Sequence, residues 1–528
     1  MERVGAEGHR QGNQGDLGSL SRLGKASPAT PNLTCAGVFP TLQIMKVYFS
    51  DFSKVTPKTV DRYGAFNISL LSDLPLFVDP FLLFNSRRPQ YRQLHAAIIQ
   101  YLRFLKNKSS NQQLDPGLLR AWYRFPEVRQ NWFGFTGSSN KGSGLGQAFA
   151  DALHSNLNRI FADFGTEQIT KGSHLEKLCL IREGVGRDNI SDFTTNLIHE
   201  FLLGYTEKFA QKYIRPQYRR RRVVGRVHFN YDTETWEPRQ YDLPLFQDDY
   251  VLLTPRDILT RDDTWINKVD LINDFDRIPE SIPNDALRAQ INNYFLKILP
   301  NKATEKEKRE VGFRTIQQFP ALIDYYIKFK EEHGGEAQDI SSKKVAFSQQ
   351  LYAEQFRDLI ELLRSQTQFY GISGNTYEEA HQRLAYFKNV IENKGGHRFF
   401  WIKREPLHRE GDVHILYRMT WFATEADVSA EVNDGRGPAD FKISKGKDKS
   451  IVEFKLAKNK SLERNLEKQA EIYKSASDAQ HGIKAIVYFT EEELGKVQRI
   501  LRKLKLADNR DVVLIDARRD NKPSGSKA

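Results

Sequence analysis

Two short apolar segments near the C-terminal end, each interrupted by charge, limit the folds open to this chain. Pro438–Ile443 carries Asp440, and Ser450–Ala457 carries Glu453 and Lys455. The second segment, Ser450-Ile-Val-Glu-Phe-Lys-Leu-Ala457, otherwise has the length and apolar content of a mostly buried strand. A charged loop with Gly446, Ser444–Lys449, lies between them, so the pair predicts a hairpin. Side chains alternate along a strand, which puts Glu453 and Lys455 on one face and Phe454 on the other. Paired as a hairpin, Asp440 lies beside Glu453. Charge inside a core strand is costly unless it is paired or holds a metal.

These residue types at this spacing suit metal-dependent cleavage of a phosphodiester. Two adjacent carboxylates make an oxygen site for Mg²⁺, with Mn²⁺ as an alternative, and such a cation keeps waters and takes substrate phosphate. The metal polarises phosphoryl oxygens and acidifies a bound water. Lys455 would position that water or balance charge on the transition-state phosphate. The plain alternative is a surface hairpin with a Glu/Lys checkerboard, since acid-x-Lys alone carries almost no information. Gly437-Pro438-Ala439-Asp440 and the helix that follows weigh toward the functional reading.

That helix is expected over Leu462–Ser475. Leu462, Leu466, Gln469 and Tyr473 recur at helical steps and share one face. Gln469 and Tyr473 either sit at the rim of the core with local hydrogen bonds or point to the site or a DNA strand. Upstream, Asn433-Asp-Gly-Arg-Gly437 reads as a tight turn around Arg436. Arg436 is either a solvated turn residue or a phosphate grip close to the metal pair.

Asp440, Glu453-x-Lys455 and Gln469-x-x-x-Tyr473 together resemble the PD-(D/E)XK, or restriction-endonuclease-like, nuclease superfamily. The Gln-x-x-x-Tyr element resembles the RecB-type branch. The resemblance covers about the last quarter of the chain. It implies an αβββαβ core, Mg²⁺-dependent hydrolysis and DNA as the usual substrate. It also implies that Asp440 and Glu453 are metal ligands, that Lys455 is the catalytic lysine, and that Gln469 and Tyr473 support the site. Some RecB-type relatives hold an iron–sulfur cluster on four cysteines; with only Cys35 and Cys179 this chain forms no such cluster. The usual settings of the superfamily are prokaryotic restriction or anti-phage defence and DNA repair. The alternative is a nucleic-acid-binding or scaffold protein with an inactive nuclease-like core.

The surrounding sequence fits such a core. Ile483–Phe489 and Val512–Asp516 read as strands, and Glu491–Lys505 as a basic amphipathic helix. Two segments compete for the first core helix: Thr376–Asn393, with Glu378 and Glu379 near its start, and Gly411–Trp421, preceded by Glu410. The superfamily often places an extra acid there. The expected organisation is an N-terminal extension over 1–44, a mixed α/β region over 45–283, a mainly helical connector over 284–375, the nuclease-like domain over 376–520 and a mobile tail over 521–528. The fold class is thus α/β.

Composition bounds the rest. Apolar residues at 39% and aromatics at 12% of 528 residues suffice for more than one core. A net charge of +12 favours a polyanionic partner, with DNA the simplest given the motif. A protein partner or homo-oligomer is also open. A mean hydropathy of -0.58 and the lack of a long apolar run argue against a membrane span. Two cysteines supply no disulfide framework, which suits a cytoplasmic location. Residues 1–44 are poor in apolar side chains and read as disordered; Met45 is a second candidate start.

The region 45–283 carries fewer signals. Tyr91–Lys106 and Leu145–Phe164 read as helices, and Gly134–Gly146 as a flexible loop without a P-loop ending. Leu178–Ile181 reads as a strand, followed by a long helix to about Tyr213 with Asp192 as its N-cap. Asp188 and Asp192 could alternatively form a second acidic site. Arg219, Arg220, Arg221 and Arg222 form the densest basic run, either a solvated surface or a phosphate-binding patch. Val223–Asn230 and Pro238–Leu245 suggest a hairpin, Val251–Pro255 another strand, and Asn284–Gln368 a run of helices.

Overall fold

The computed structural model describes residues 46–522 apart from 110–114, 135–144, 161–166, 182–184, 301–302, 373, 423, 425, 434–437, 468–478 and 480. The expectations for residues 1–44, for the end of the tail, for most of the Gly134–Gly146 loop, and for Arg436, Gln469 and Tyr473 fall outside the described residues. From Lys46 onward the chain packs as one compact unit.

In the N-terminal part, β1 (Leu76–Val78) pairs antiparallel with a distant strand, Leu259–Arg261. Helix α1 (Pro89–Ser109) buries Tyr101, Leu102 and Leu105. Helices α2 (Arg187–Leu197) and α3 (His199–Tyr213) follow. Then come β2 (Arg219–Asn230) and β3 (Thr235–Phe246), an antiparallel hairpin longer than its apolar core suggests. Aromatic packing fixes the hairpin on α1: Tyr101, Phe104, Phe229 and Trp236 lie with ring centroids 4.9–5.8 Å apart where they pair. The Leu259–Arg261 strand is β4.

Three expectations here are corrected. Leu178–Ile181 is helical, within Lys177–Ile181. A run of four apolar residues cannot separate strand from buried helix by period alone, and burial fits either. The long helix is two helices, broken at Ile198, and Gly186 rather than Asp192 sits at the N-cap, leaving Asp192 in mid-helix. Val251–Pro255 is a buried irregular segment; the strand pairing there is limited to Asp249–Tyr250.

Helices dominate the middle: Asp285–Ile298, Glu305–Gln318, Ala321–Glu332, Gly334–Gln349 and Phe356–Gln366. A π-helical turn, Gln350–Gln355, joins the last two and buries Tyr352.

The C-terminal part is a five-stranded mixed sheet with helices on both faces. Helices α4 (Thr376–Asn393) and α5 (Glu410–Met419) precede it. Its strands are β5 (Asp427–Asn433), β6 (Pro438–Lys445), β7 (Asp448–Leu456), β8 (His481–Tyr488) and β9 (Val512–Asp516), in spatial order β9-β8-β7-β6-β5. β5, β6 and β7 form an antiparallel meander, while β8 runs parallel to β7 and β9 parallel to β8.

Each face is decided by the alternation along β7. Phe454 points to the face under α4 and α5, where it meets Phe387, Tyr417 and Phe441. The other face is covered by the helical turn over 462–467 and by α6 (Glu491–Lys503): Leu462 and Leu466 pack with Ile486, Tyr488, Val497 and Leu501. The Thr376 hydroxyl, 2.8 Å from Asp448 Oδ1 and from Ser450 Oγ, pins the start of α4 to the β6–β7 hairpin. Among the described residues no helix is long and apolar enough to cross a membrane.

Candidate active site

The site is built where β6 and β7 part. Their ladder ends at the pair Val452↔Phe441, so the next residues, Glu453 and Asp440, lie across from each other at the opening. The Asp440 carboxylate turns into that opening and takes the place of a backbone carbonyl: Phe454 N–H donates to its Oδ2 at 2.7 Å. Both acids are buried, Asp440 at 9% and Glu453 at 4% exposure.

Two more donors reach the same oxygen of Asp440. His414 Nε2 lies 3.1 Å away and Lys455 Nζ 3.4 Å away. Burial by itself would raise the Asp440 pKa, but the His414 charge and hydrogen bond, Lys455 and the Phe454 amide outweigh it and hold the carboxyl below its usual range. Lys455 is held above the usual lysine range in spite of burial, because Asp440, Glu453 and Glu410 surround it.

Glu453 is the contrasting group. It forms no hydrogen bond or ion pair with any described residue, although its charge feels Lys455 and Lys484. Burial pushes its carboxyl up to about 7; Asp440 adds to this while Lys455, Lys484 and His414 oppose it. A buried carboxylate without a partner is unfavourable. A cation shared with Asp440 would remove the penalty, so the donor chemistry fits a hard divalent metal. Among the described residues no three His, Cys, Asp or Glu side chains form a preformed cage. Two carboxylates with waters and substrate oxygens making up the shell is how Mg²⁺ is commonly bound.

Packing decides between the two acidic helices. Glu410, at the start of α5, has Oε2 3.7 Å from Lys455 Nζ, and its Oε1 accepts from Leu456 N at 3.1 Å and Asn459 Nδ2 at 2.9 Å. Glu379 on α4 is instead buried against Arg383 at 3.0 Å, and Glu378 pairs with Arg510 at 2.8 Å. His414 is the residue that sequence reasoning passes over. It stands four positions after Glu410, one helical turn on the same face, and that spacing is the available signal.

The basic run lies on β2 and splits by alternation and local pairing. Arg219 pairs with Asp242, and Arg222 Nη2 donates to the Asp248 carbonyl at 2.6 Å. Arg220 and Arg221 are exposed.

Asp440 and His414 also line a cavity of about 230 Å³ whose opposite wall includes Arg187, Arg261 and Asp262 from the N-terminal part. Comparison with known families divides the chain along this cavity. Residues 54–267 match a family described as a domain of unknown function (DUF8370), and residues 376–491 match a second one (DUF8371). No curated protein and no solved structure matches the chain. The strand pair and α5 lie in the second matched region, and the facing arginines lie in the first.

Proposed function

We infer that the chain is a divalent-metal-dependent nuclease that hydrolyses phosphodiester bonds in DNA. The observation that carries this reading is the juxtaposition at the β6–β7 opening: an ionised Asp440, a buried and unpartnered Glu453, and Lys455 on the same strand as Glu453. A cation is what such a pair of acids lacks. The order of elements supports the reading too. A helix, an antiparallel three-stranded meander, a further helical segment and a strand parallel to the third follow the αβββαβ order that the resemblance to PD-(D/E)XK nucleases implies.

Asp440 and Glu453 would hold Mg²⁺ or Mn²⁺. Bound there, the cation polarises a phosphoryl oxygen and acidifies a coordinated water. The chain's own groups do the rest. His414 and the Phe454 amide keep Asp440 ionised and oriented. Lys455 stands within 4 Å of Asp440 and Glu410 and presents a fixed ammonium to charge that builds on the phosphate. Glu410 tethers that ammonium and the end of β7, so that Lys455 needs little reorganisation. Arg220 and Arg221 extend a basic surface that a nucleic acid backbone can follow.

The test is a titration of the full chain with Mg²⁺, Mn²⁺ and Ca²⁺ on supercoiled plasmid, linear duplex and single-stranded DNA, with RNA alongside. The reading expects cleavage of DNA with Mg²⁺ or Mn²⁺, stopped by EDTA and by Glu453→Gln. Folded protein that cleaves no DNA substrate at any cation concentration would overturn it.

A further inference from the structure

The cavity beside Asp440 holds more positive charge than the metal chemistry needs. Arg187 and Arg261 come to it from one matched region, Arg409 and Arg418 from the other. Arg261 is committed elsewhere: it is buried and paired with Asp412. Arg409 and Arg187 are held more loosely. The Arg409 side chain is 52% exposed and pairs with Asp262, while Arg187 Nη1 lies 3.3 Å from Asp263 Oδ1. Asp262 holds φ at 79°, a conformation rare for a residue with a side chain, and from there it faces both Arg261 and Arg409.

The guanidinium groups crowd one another. The Arg409 pKa is lowered by burial and by Arg261 and Arg187, with Asp412 opposing. Like charges gathered around a cavity are stabilised by an anion placed among them. The first turn of α5 adds to the same field. Gly411 lines the cavity with open space where a side chain would stand, and the N-terminal end of a helix favours negative charge. At roughly 30 Å³ per water, the cavity has room for about seven waters, the scale of one sugar-phosphate unit rather than a duplex.

We propose that the region matched over 54–267 forms the strand-binding half of the active site, with Arg187, Arg409 and Arg418 gripping the phosphates of a single DNA strand next to the bond presented to Asp440. This rests on the nuclease reading and adds to it a substrate form and a composite site. Guanidinium forks suit phosphate oxygens because two N–H groups meet two oxygens in one plane. Asp262 and Asp263 hold Arg409 and Arg187 in place until a phosphate takes over.

Anisotropy of a labelled single-stranded oligonucleotide, read in EDTA to prevent cleavage, tests the proposal on the full chain. Arg187→Ala and Arg409→Ala are each expected to weaken binding by about 10-fold or more. The slope of log K against log salt should fall by about 0.7 for each phosphate of the strand that is no longer neutralised. Arg187→Lys should recover part of the affinity. Inorganic phosphate should compete only far above the concentration at which unlabelled strand competes. Wild-type affinity and salt slope in both alanine variants would overturn the proposal. So would inorganic phosphate competing as well as the strand per phosphate, or duplex DNA or an RNA strand binding more tightly through the same arginines. Arg409 is half exposed, so its variant carries the test even where Arg187→Ala fails to fold. Wild-type cleavage with Mg²⁺ alongside unaffected variants would discard this proposal and keep the nuclease reading. Strand binding without cleavage at any cation would discard the nuclease reading instead.

Discussion

Arg261 and Asp412 form a buried ion pair that joins the two matched regions of the chain. Asp412 Oδ1 also accepts from the Tyr352 hydroxyl at 2.8 Å, and the Arg261 guanidinium lies 4.6 Å from the Phe347 ring centroid and 5.7 Å from that of Tyr352. Three parts of the sequence thus meet at one carboxylate, a few residues from His414. Removing one partner strands a charge in the interior. Asp412→Ala should therefore cost about 3–5 kcal/mol in denaturant unfolding. Arg261→Met with Asp412→Leu should cost much less, since both charges leave together. Equal losses in the single and double variants would mean that the pair contributes through shape alone.

The two acids at the β6–β7 opening should behave differently when neutralised. Glu453 has no partner to lose, so Glu453→Gln should leave the melting temperature unchanged or higher while cutting DNA cleavage by at least roughly 100-fold. Asp440→Asn gives up acceptor strength toward Phe454, His414 and Lys455, so it should lower stability by about 1–3 kcal/mol and also remove cleavage. Calorimetry paired with a plasmid assay separates the two. Wild-type cleavage in Glu453→Gln would remove Glu453 from the site.

Lys455 and His414 act on different quantities. Lys455→Ala should depress the maximal rate more than strand affinity, because its charge matters most when the phosphate gains charge. His414→Gln should raise the Mg²⁺ concentration needed for half-maximal rate by roughly 10–100-fold, as expected when the group orienting a ligand is lost. Single-turnover cleavage across a Mg²⁺ series reads both. A Lys455→Ala enzyme with weak binding and a normal maximal rate would make the lysine a phosphate anchor only.

The sheet is legible in the sequence because its strands alternate visibly and carry charge where charge is costly. Asp440, Glu453 and Lys455 follow from that conflict alone. Helix α5 is legible only as one of two candidates, since Glu410 and Glu379 look alike until packing gives Glu379 a buried arginine. His414 offers a single i, i+4 spacing and no pattern of its own. The cavity wall is not legible at all. Arg187 and Asp440 stand far apart in sequence, and nothing local to either encodes their meeting. Leu178–Ile181 misleads because four apolar residues satisfy both periods.

Asp192 supplies a pH prediction away from the site. Placed inside α2 instead of at its cap, it is half-buried and feels the charges of Glu127 and Asp188. Burial first, then those two acids, raise its carboxyl to about 7. The unfolded chain would titrate it near 4. Between those values the folded state holds more protons than the unfolded state, so this group's contribution to stability falls as pH rises from about 4 to 7. The loss should be on the order of 2–4 kcal/mol. Asp192→Asn keeps the shape and cannot ionise. It should match the wild type in denaturant unfolding near pH 4 and exceed it by that amount at pH 8. Parallel stability curves for the two proteins across this range would mean that Asp192 is ionised in the fold at neutral pH, with its charge satisfied by solvent or by a neighbour.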